Sequence, residues 1–192
     1  AGNDYTYNII GVVQNGKCFV TDTARDKTGY QNRLFKYDIA SMTLEQTVTP
    51  SAGMRISEVT ALRNGNIALL CGRYAHEVVL ISPNMQVLKS INIAAYPTVP
   101  TGQAQRQRVL RELIELANGD LMLTGYMYDP DYYGDVSPVT VTMSPDLILK
   151  KTTTYGMTYP GGFDEAVEVD GTVYVVGSVS ISNTRAAFTV AA

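Results

Sequence analysis

A tight-turn dipeptide recurs four times along this chain at nearly constant spacing. Asn15-Gly16, Asn64-Gly65, Asn118-Gly119 and Asp170-Gly171 each separate two apolar runs. Both central residues of a type I′ β-turn need positive φ, which Gly and Asn tolerate best, so each dipeptide predicts a two-residue β-hairpin. The glycines lie 49, 54 and 52 residues apart. This spacing predicts four tandem repeats of about fifty residues.

Each repeat is predicted to hold four antiparallel strands, which we call a to d. Strand b follows the turn glycine, at residues 18–21, 67–71, 121–124 and 173–176. In three repeats strand b is predicted to end at a glycine, namely Gly72, Gly125 or Gly177. A second tight turn, Ser82-Pro83-Asn84-Met85 or Ser144-Pro145-Asp146-Leu147, is predicted to separate strand c from strand d. The predicted c strands before these turns are residues 77–81 and 138–143, and the d strands after them are 86–93 and 148–155.

One segment favours a helix when taken alone. Residues 108–117 are rich in helix formers and carry apolar residues at helical spacing. However, Glu112 stands seven residues before Gly119, as Glu58 does before Gly65. The repeat register therefore predicts strand a at residues 113–116, with a helical turn upstream at 103–107.

The repeats are placed at residues 5–53, 54–100, 108–156 and 157–192 of a single domain. The fourth repeat offers only three strands, at 165–169, 173–179 and 185–191. We expect the β-favouring residues 4–7 to supply its missing outer strand, which gives a closed ring of four repeats. The alternative is that the chain is part of a larger ring of such repeats.

Four-stranded repeats of this length are typical of propeller blades, which must stack because one blade cannot bury both of its faces. With its Asn-Gly turns, strands closing on Gly and Ser-Pro-Asn/Asp turns, the chain resembles the repeat-type β-propellers common in secreted and surface proteins of bacteria. The Trp that often marks their last strand is absent here. The resemblance implies an all-β, propeller-like fold and no particular activity.

Composition limits the classes of partner and the locations that we expect for this protein. The net charge of −3 and the lack of a basic run exclude a nucleic-acid binder. No apolar stretch approaches the roughly 20 residues of a membrane-spanning helix, so no transmembrane segment is expected. The first residue is Ala1 rather than Met, which favours a removed leader and a secreted, periplasmic or cell-surface location. Cys18 and Cys71 lack metal or redox spacing and are predicted to be buried apolar residues.

The b–c connections and the segments between repeats should share one end of the blades, opposite the short turns. Long loops are expected there at residues 23–32, 126–137 and 178–184, with a long connection at 94–107. Binding sites are more often on such loops. Candidate ligand-binding residues are Tyr126, Tyr128, Asp129, Asp131, Tyr132, Tyr133, Asp135, Arg73, Arg106 and Arg108. Tyrosine faces suit sugar rings, although an ordinary exposed loop with self-packed tyrosines is the simpler interpretation.

Acidic residues suggest two further kinds of site. No cofactor is expected, apart from a weak calcium candidate at Asp129, Asp131 and Asp135. Glu58, Glu112 and Glu165 occupy matching positions in strand a, where the first repeat has Ile9. We favour a structural role in which each carboxylate accepts a backbone N–H from the next blade, over a catalytic cluster. These glutamates and the single histidine, His76, remain the catalytic candidates.

We therefore expect a secreted or surface-associated binding or assembly module that presents Tyr/Asp/Arg loops to a polysaccharide or protein partner. A glycan-cleaving hydrolase or lyase using the glutamates is one alternative. A structural subunit of a larger complex is the other. The pattern favours a non-enzymatic protein without establishing it, because no Ser-His-Asp ordering, phosphate-binding glycine loop or paired metal motif is present.

Overall fold

The structure, a computed structural model, describes residues 9–26, 29–50, 55–72, 77–93, 107–129, 132–156, 160–181 and 184–191. These residues form four antiparallel sheets, and the strands of each sheet pair in chain order. The first sheet contains β1 (Gly11–Gln14), β2 (Lys17–Asp26), β3 (Gly29–Asp38) and β4 (Thr43–Val48). The second contains β5 (Ile56–Ala61), β6 (Ile67–Cys71), β7 (Glu77–Ile81) and β8 (Val87–Asn92). The third contains β9 (Gln107–Glu115), β10 (Leu121–Asp129), β11 (Tyr132–Met143) and β12 (Leu149–Thr154), and the fourth contains β13 (Gly161–Val169), β14 (Thr172–Ile181) and β15 (Thr184–Ala191).

The predicted all-β, four-repeat architecture is confirmed. Each repeat forms one sheet, and the fourth repeat itself supplies three strands, as expected. Strand β9 covers the segment with helical spacing, because its residues pair along β10 and bury Leu110 and Leu113. Residues 4–7, the expected closing strand, and 103–106, most of the expected helical turn, lie outside the described residues. Among the described residues, no helix has the length and apolar character needed to cross a bilayer.

The chain divides into two compact units, with two sheets in each. In the first unit, the first and second sheets bury a common core that includes Phe19, Leu34, Ile67 and Ile81. In the second unit, the third and fourth sheets bury another core around Phe163. The ring of Phe163 packs edge-on against Tyr155, with 5.0 Å between ring centroids. Face-to-face packing of neighbouring sheets therefore stabilises each unit.

The type I′ prediction is correct for the turns of the first and fourth sheets. Asn15 and Gly16 have φ of 51° and 73°, and Asp170 and Gly171 have φ of 50° and 76°. Two consecutive residues of positive φ are what this turn requires.

The prediction is wrong for the second and third sheets, where only the glycine has positive φ, 89° at Gly65 and 88° at Gly119. Each is a type I turn closed by a glycine in the left-handed conformation. In the second sheet, the Gly65 N–H donates to the Leu62 carbonyl at 2.9 Å. Asn64 keeps negative φ because its Oδ1 accepts the N–H of Asn66 two residues on, at 2.9 Å. These turns are therefore one residue longer than the type I′ turns.

The Ser-Pro turns form as predicted. The N–H of Met85 donates to the Ser82 carbonyl, and the N–H of Leu147 donates to the Ser144 carbonyl, both at 2.9 Å. Met85 and Leu147 have φ of 60° and 57°, values that usually favour glycine. Both side chains are buried, so apolar burial offsets the unfavourable backbone conformation.

The b–c loop predictions are wrong in three sheets. Strands β2 and β3 stay paired out to Asp26 opposite Gly29, and β14 and β15 stay paired to Ile181 opposite Thr184. Strand b likewise continues past Gly125 and Gly177 instead of ending there, whereas β6 does end before Gly72. The expected long loops are instead extensions of paired strands, which we call arms, because their Thr, Tyr and Val residues favour extended pairing. In the third sheet, β9 also pairs along β10 as far as Tyr128.

Candidate functional site

A β-bulge precedes each of the three repeated glutamates. The a–b ladder skips one residue in strand a directly before the glutamate, and the skipped residues are Ser57, Arg111 and Asp164. In the third sheet the bulge lies opposite Gly125, where an added Cβ would come within 2.0 Å of a β9 backbone oxygen. Bulges re-aim the side chains around them. Glycine and bulge together therefore direct Glu112 off the third sheet.

Glu112 makes the contact that the structural interpretation predicts. Its Oε2 accepts the backbone N–H of Ala166 in β13 of the fourth sheet. The Glu168 carboxylate reaches back and accepts the N–H of Ala117. A charged acceptor strengthens such hydrogen bonds, so two reciprocal carboxylates join the third and fourth sheets.

The other two glutamates lie in different surroundings. Glu58 is half-buried, and burial raises its carboxyl pKa, which a hydrogen bond from the Val59 N–H at 3.1 Å partly counteracts. Glu165 is exposed. The expected equivalence to Ile9 is wrong, because Ile10 pairs with Thr21 as Glu165 pairs with Val176. The shorter type I′ turns shift this register by one residue.

Tyr126, a predicted ligand-binding residue, takes part in packing between the third and fourth sheets. A Cβ added to Gly162 would lie 2.8 Å from the Tyr126 ring, so glycine is what allows the strand to approach. On its other side, the Arg111 guanidinium lies 5.2 Å from the ring centroid and forms an ion pair with Asp164. Tyr126 thus anchors the base of an arm formed by β10 and β11.

The arm itself extends beyond this anchor. Tyr128 pairs with Val136 and Asp129 pairs with Tyr132, so residues 133–135 of β11 have no partners on β10 in this ladder. This three-residue irregularity lies within the strand, at the place expected for the Tyr/Asp loop. The side chains of Tyr128, Asp129, Tyr132, Tyr133 and Asp135 lie outside the described part of the structure.

Arg108 lies at the base of the same arm, opposite Met127. It is half-buried, and burial lowers the pKa of its guanidinium. Its Nη1 is buried and has no hydrogen-bond partner among the described residues. A buried donor of this kind is costly unless a ligand or water accepts a hydrogen bond from it. Arg108 is therefore a partly buried guanidinium rather than a freely solvated charge.

Several predicted site residues cannot be placed in this geometry. His76, Arg73, Arg106 and Asp131 lie outside the described residues. The calcium candidate depends on Asp129, Asp131 and Asp135, so it stays a prediction. Within the described part of the chain, no group of three or more His, Cys, Asp or Glu residues is placed to hold a metal.

Comparisons with known proteins support the fold. No family model and no curated protein matches the sequence. Among solved structures, the chain is similar to the bifunctional GH43-CE of Bacteroides eggerthii (10% identity, TM-score 0.60), over 97% of this chain and 25% of that one. It is also similar to the β-propeller domain of the trilobed protease of Pyrococcus furiosus (9% identity, TM-score 0.53; 98% and 58%) and to an endo-1,4-β-xylanase of Bacteroides thetaiotaomicron (12%, TM-score 0.51; 95% and 67%).

The chain thus spans between a quarter and two thirds of the length of these three structures. At identities this low, the likeness concerns the fold alone. With the four-stranded repeats described above, it places the chain among proteins of propeller architecture.

Proposed function

We propose that this protein is a carbohydrate-binding module that recognises a polysaccharide through the β10–β11 arm. The carrying observation is the arm itself, in which β10 and β11 stay paired to Asp129 and Tyr132, β9 pairs along β10 as far as Tyr128, residues 133–135 have no ladder partner, and the base is packed. A rigid base reduces the entropy that the arm loses on binding. Tyrosines at 128, 132 and 133 supply the aromatic faces that stack on sugar rings.

Arg108 adds a polar component at the base of the arm. Its unpartnered Nη1 can donate to a sugar hydroxyl or carboxylate, and few side chains match a carboxylate as well as arginine does. The xylanase and GH43-CE likenesses agree with a carbohydrate-related role. For this reason we choose xylan as the first probe. The proposal goes with the secreted, periplasmic or cell-surface location expected from the sequence.

Affinity electrophoresis in gels containing xylan, followed by calorimetry with xylo-oligosaccharides, tests the proposal. We expect retardation of the full chain and about a tenfold loss of affinity for Tyr132→Ala or Tyr133→Ala, since losing a stacked ring costs about 1.4 kcal/mol. Ile148→Ala is the matched control, because Ile148 is 60% exposed between β11 and β12 of the same sheet, at the opposite end of β11 from the arm.

Unchanged binding by both tyrosine variants would remove the arm from the site. A panel of neutral and acidic polysaccharides with no retardation on any of them would contradict carbohydrate binding, and would leave a protein partner as the better hypothesis. Arg108→Met separates the acidic from the neutral ligands. It should weaken binding to glucuronoxylan more than binding to unsubstituted xylan.

Glycan cleavage is a second candidate, carried by Glu58 alone. A half-buried carboxyl of raised pKa is suited to donate a proton to a leaving group. Glu112 is a weaker candidate because Ala166 occupies its Oε2. Release of reducing ends from xylan by the wild type, lost in Glu58→Gln with binding retained, would favour cleavage over simple binding.

A further inference from the structure

An exposed apolar face lies on the side of the fourth sheet that points away from the third. Val167, Val169, Tyr174 and Val176 are 52%, 49%, 40% and 39% exposed. They are cross-strand neighbours, since Val167 pairs with Tyr174. Contiguous exposed apolar surface of this kind marks an interaction site.

Comparison with the third sheet indicates what kind of surface fits this face. Counted along the ladders, Glu165, Val167, Tyr174 and Val176 correspond to residues Glu112, Ile114, Met122 and Thr124 of the third sheet. In the third sheet, Ile114 and Met122 pack into the core with the fourth sheet, and Glu112 accepts the Ala166 N–H. The exposed face is therefore the repeat equivalent of a face already covered by another blade.

The complementary surface can be identified in the same way. The fourth sheet receives the third through Ala166, Val173 and Val175, which lie five residues before and two and four residues after Gly171. The same distances from Gly16 give Gly11, Cys18 and Val20 in the first sheet. Both hairpins have the same type I′ turn, so residues at equal distances from the turn glycine correspond in the first and fourth sheets.

The outward face of the first sheet carries these residues. Val13 and Leu44 belong to it and are 63% and 51% exposed, and Phe35 lies beside Val20 on the same face. Gly11 stands where Ala166 stands in the fourth sheet, so its N–H is placed to meet an incoming carboxylate. One chain thus presents both halves of a blade-to-blade contact, one on its first sheet and one on its fourth.

We propose that copies of this chain associate head to tail, the outer face of the fourth sheet of one copy covering the outer face of the first sheet of the next. In this contact Glu165 accepts the Gly11 N–H of the neighbouring copy, as Glu112 accepts the Ala166 N–H within one chain. Such a contact is heterologous, so it closes into a ring or extends into a filament. It does not depend on the proposed carbohydrate site.

Sedimentation velocity and light scattering of the full chain, from about 1 to 200 μM, test the proposal over the range in which weak protein contacts form. We expect masses at multiples of 20.9 kDa. Val167→Lys and Val13→Lys each place a charge on one half of the contact, and each should leave a monomer. Leu88→Lys is the matched control, because Leu88 is equally exposed on β8 of the second sheet; it should associate as the wild type does.

Mixing the two charged variants gives the sharpest result. The Val167→Lys chain keeps an intact first-sheet face and the Val13→Lys chain keeps an intact fourth-sheet face, so an equal mixture should form a one-to-one heterodimer and nothing larger. Circular dichroism and melting temperature establish that each variant is folded. A monomeric wild type, unaltered association of either charged variant, or a mixture that stays monomeric while both variants are folded would each overturn the proposal.

Discussion

Two threonines at equivalent positions in different repeats are buried, and they test how a hydrogen bond to a buried hydroxyl affects stability. Thr21 and Thr124 each lie five residues after the turn glycine, and both are 0% exposed. The Thr21 Oγ1 accepts the Ile10 N–H at 3.3 Å and lies 3.2 Å from the Ile10 carbonyl oxygen, to which it donates. The Thr124 Oγ1 has no partner among the described residues.

Valine substitution should therefore have opposite effects at the two sites. Thr124→Val removes an unsatisfied hydroxyl and keeps the side-chain shape, so we expect a gain of about 1 kcal/mol. Thr21→Val removes a satisfied hydroxyl and leaves the Ile10 N–H unpaired, which should cost about 1 kcal/mol. The other two repeats have Leu70 and Val176 at this position, so an apolar residue already fits there.

Urea unfolding followed by circular dichroism measures both changes. With an m-value of about 2 kcal/mol/M, the midpoints should move about 0.5 M in opposite directions. In thermal unfolding, a 1 kcal/mol change corresponds to roughly 2–4 °C for a chain of this size. Loss of stability in Thr124→Val, or equal changes in the two variants, would refute the reasoning, because it would mean that the Thr124 hydroxyl is satisfied.

Three further predictions follow from the geometry. Gly125→Ala should cost about 3 kcal/mol or more, because the new Cβ meets a backbone oxygen 2.0 Å away, whereas Gly119→Ala, with open space but φ of 88°, should cost about 1 kcal/mol; equal losses in urea unfolding would contradict this. The raised pKa of Glu58 means that the folded state binds its proton more tightly than the unfolded state, so stability from this group falls as pH rises from the unfolded pKa through the folded one. Glu58→Gln should therefore stabilise the protein at pH 7 and leave it unchanged near pH 3, and a gain of the same size at both pH values would exclude the charge effect. Burial raises the pKa of Cys71 to about 12, so in a Cys18→Ser background a thiol reagent at pH 8 should label Cys71 only on unfolding, and rapid native labelling would contradict its burial.

The sequence predicts the fold well where a turn signal has a single physical solution. Strands β6 and β7 have the predicted bounds, and all four glycine hairpins lie where the dipeptides place them. It fails where two local solutions compete. Asn64 is able to adopt positive φ, but its side chain instead accepts a backbone N–H, and that contact selects the longer turn.

The candidate site is harder to predict, because the residues that form it are far apart in the sequence. The contact between Glu112 and Ala166 joins residues 54 positions apart and depends on the bulge at Arg111. The recurrence of glutamate indicates a contact of this kind, but it does not identify which backbone N–H donates to which carboxylate. The packing of Tyr126 on Gly162 has no signal in the sequence beyond the Gly161-Gly162 pair. The b–c arms are hard to predict because these segments hold turn-forming residues, which indicate loops, beside Thr, Tyr and Val, which favour strands.

Pairing of strands strictly in chain order has a consequence for how the protein is made. Among the described residues, every ladder joins strands that are neighbours along the chain, so these strands of each sheet can pair as soon as their own stretch has left the ribosome. Within each unit, the core then forms as the second of its two sheets packs on the first. Assembly from the N-terminus onward should accordingly be quick and tolerant of pauses in translation.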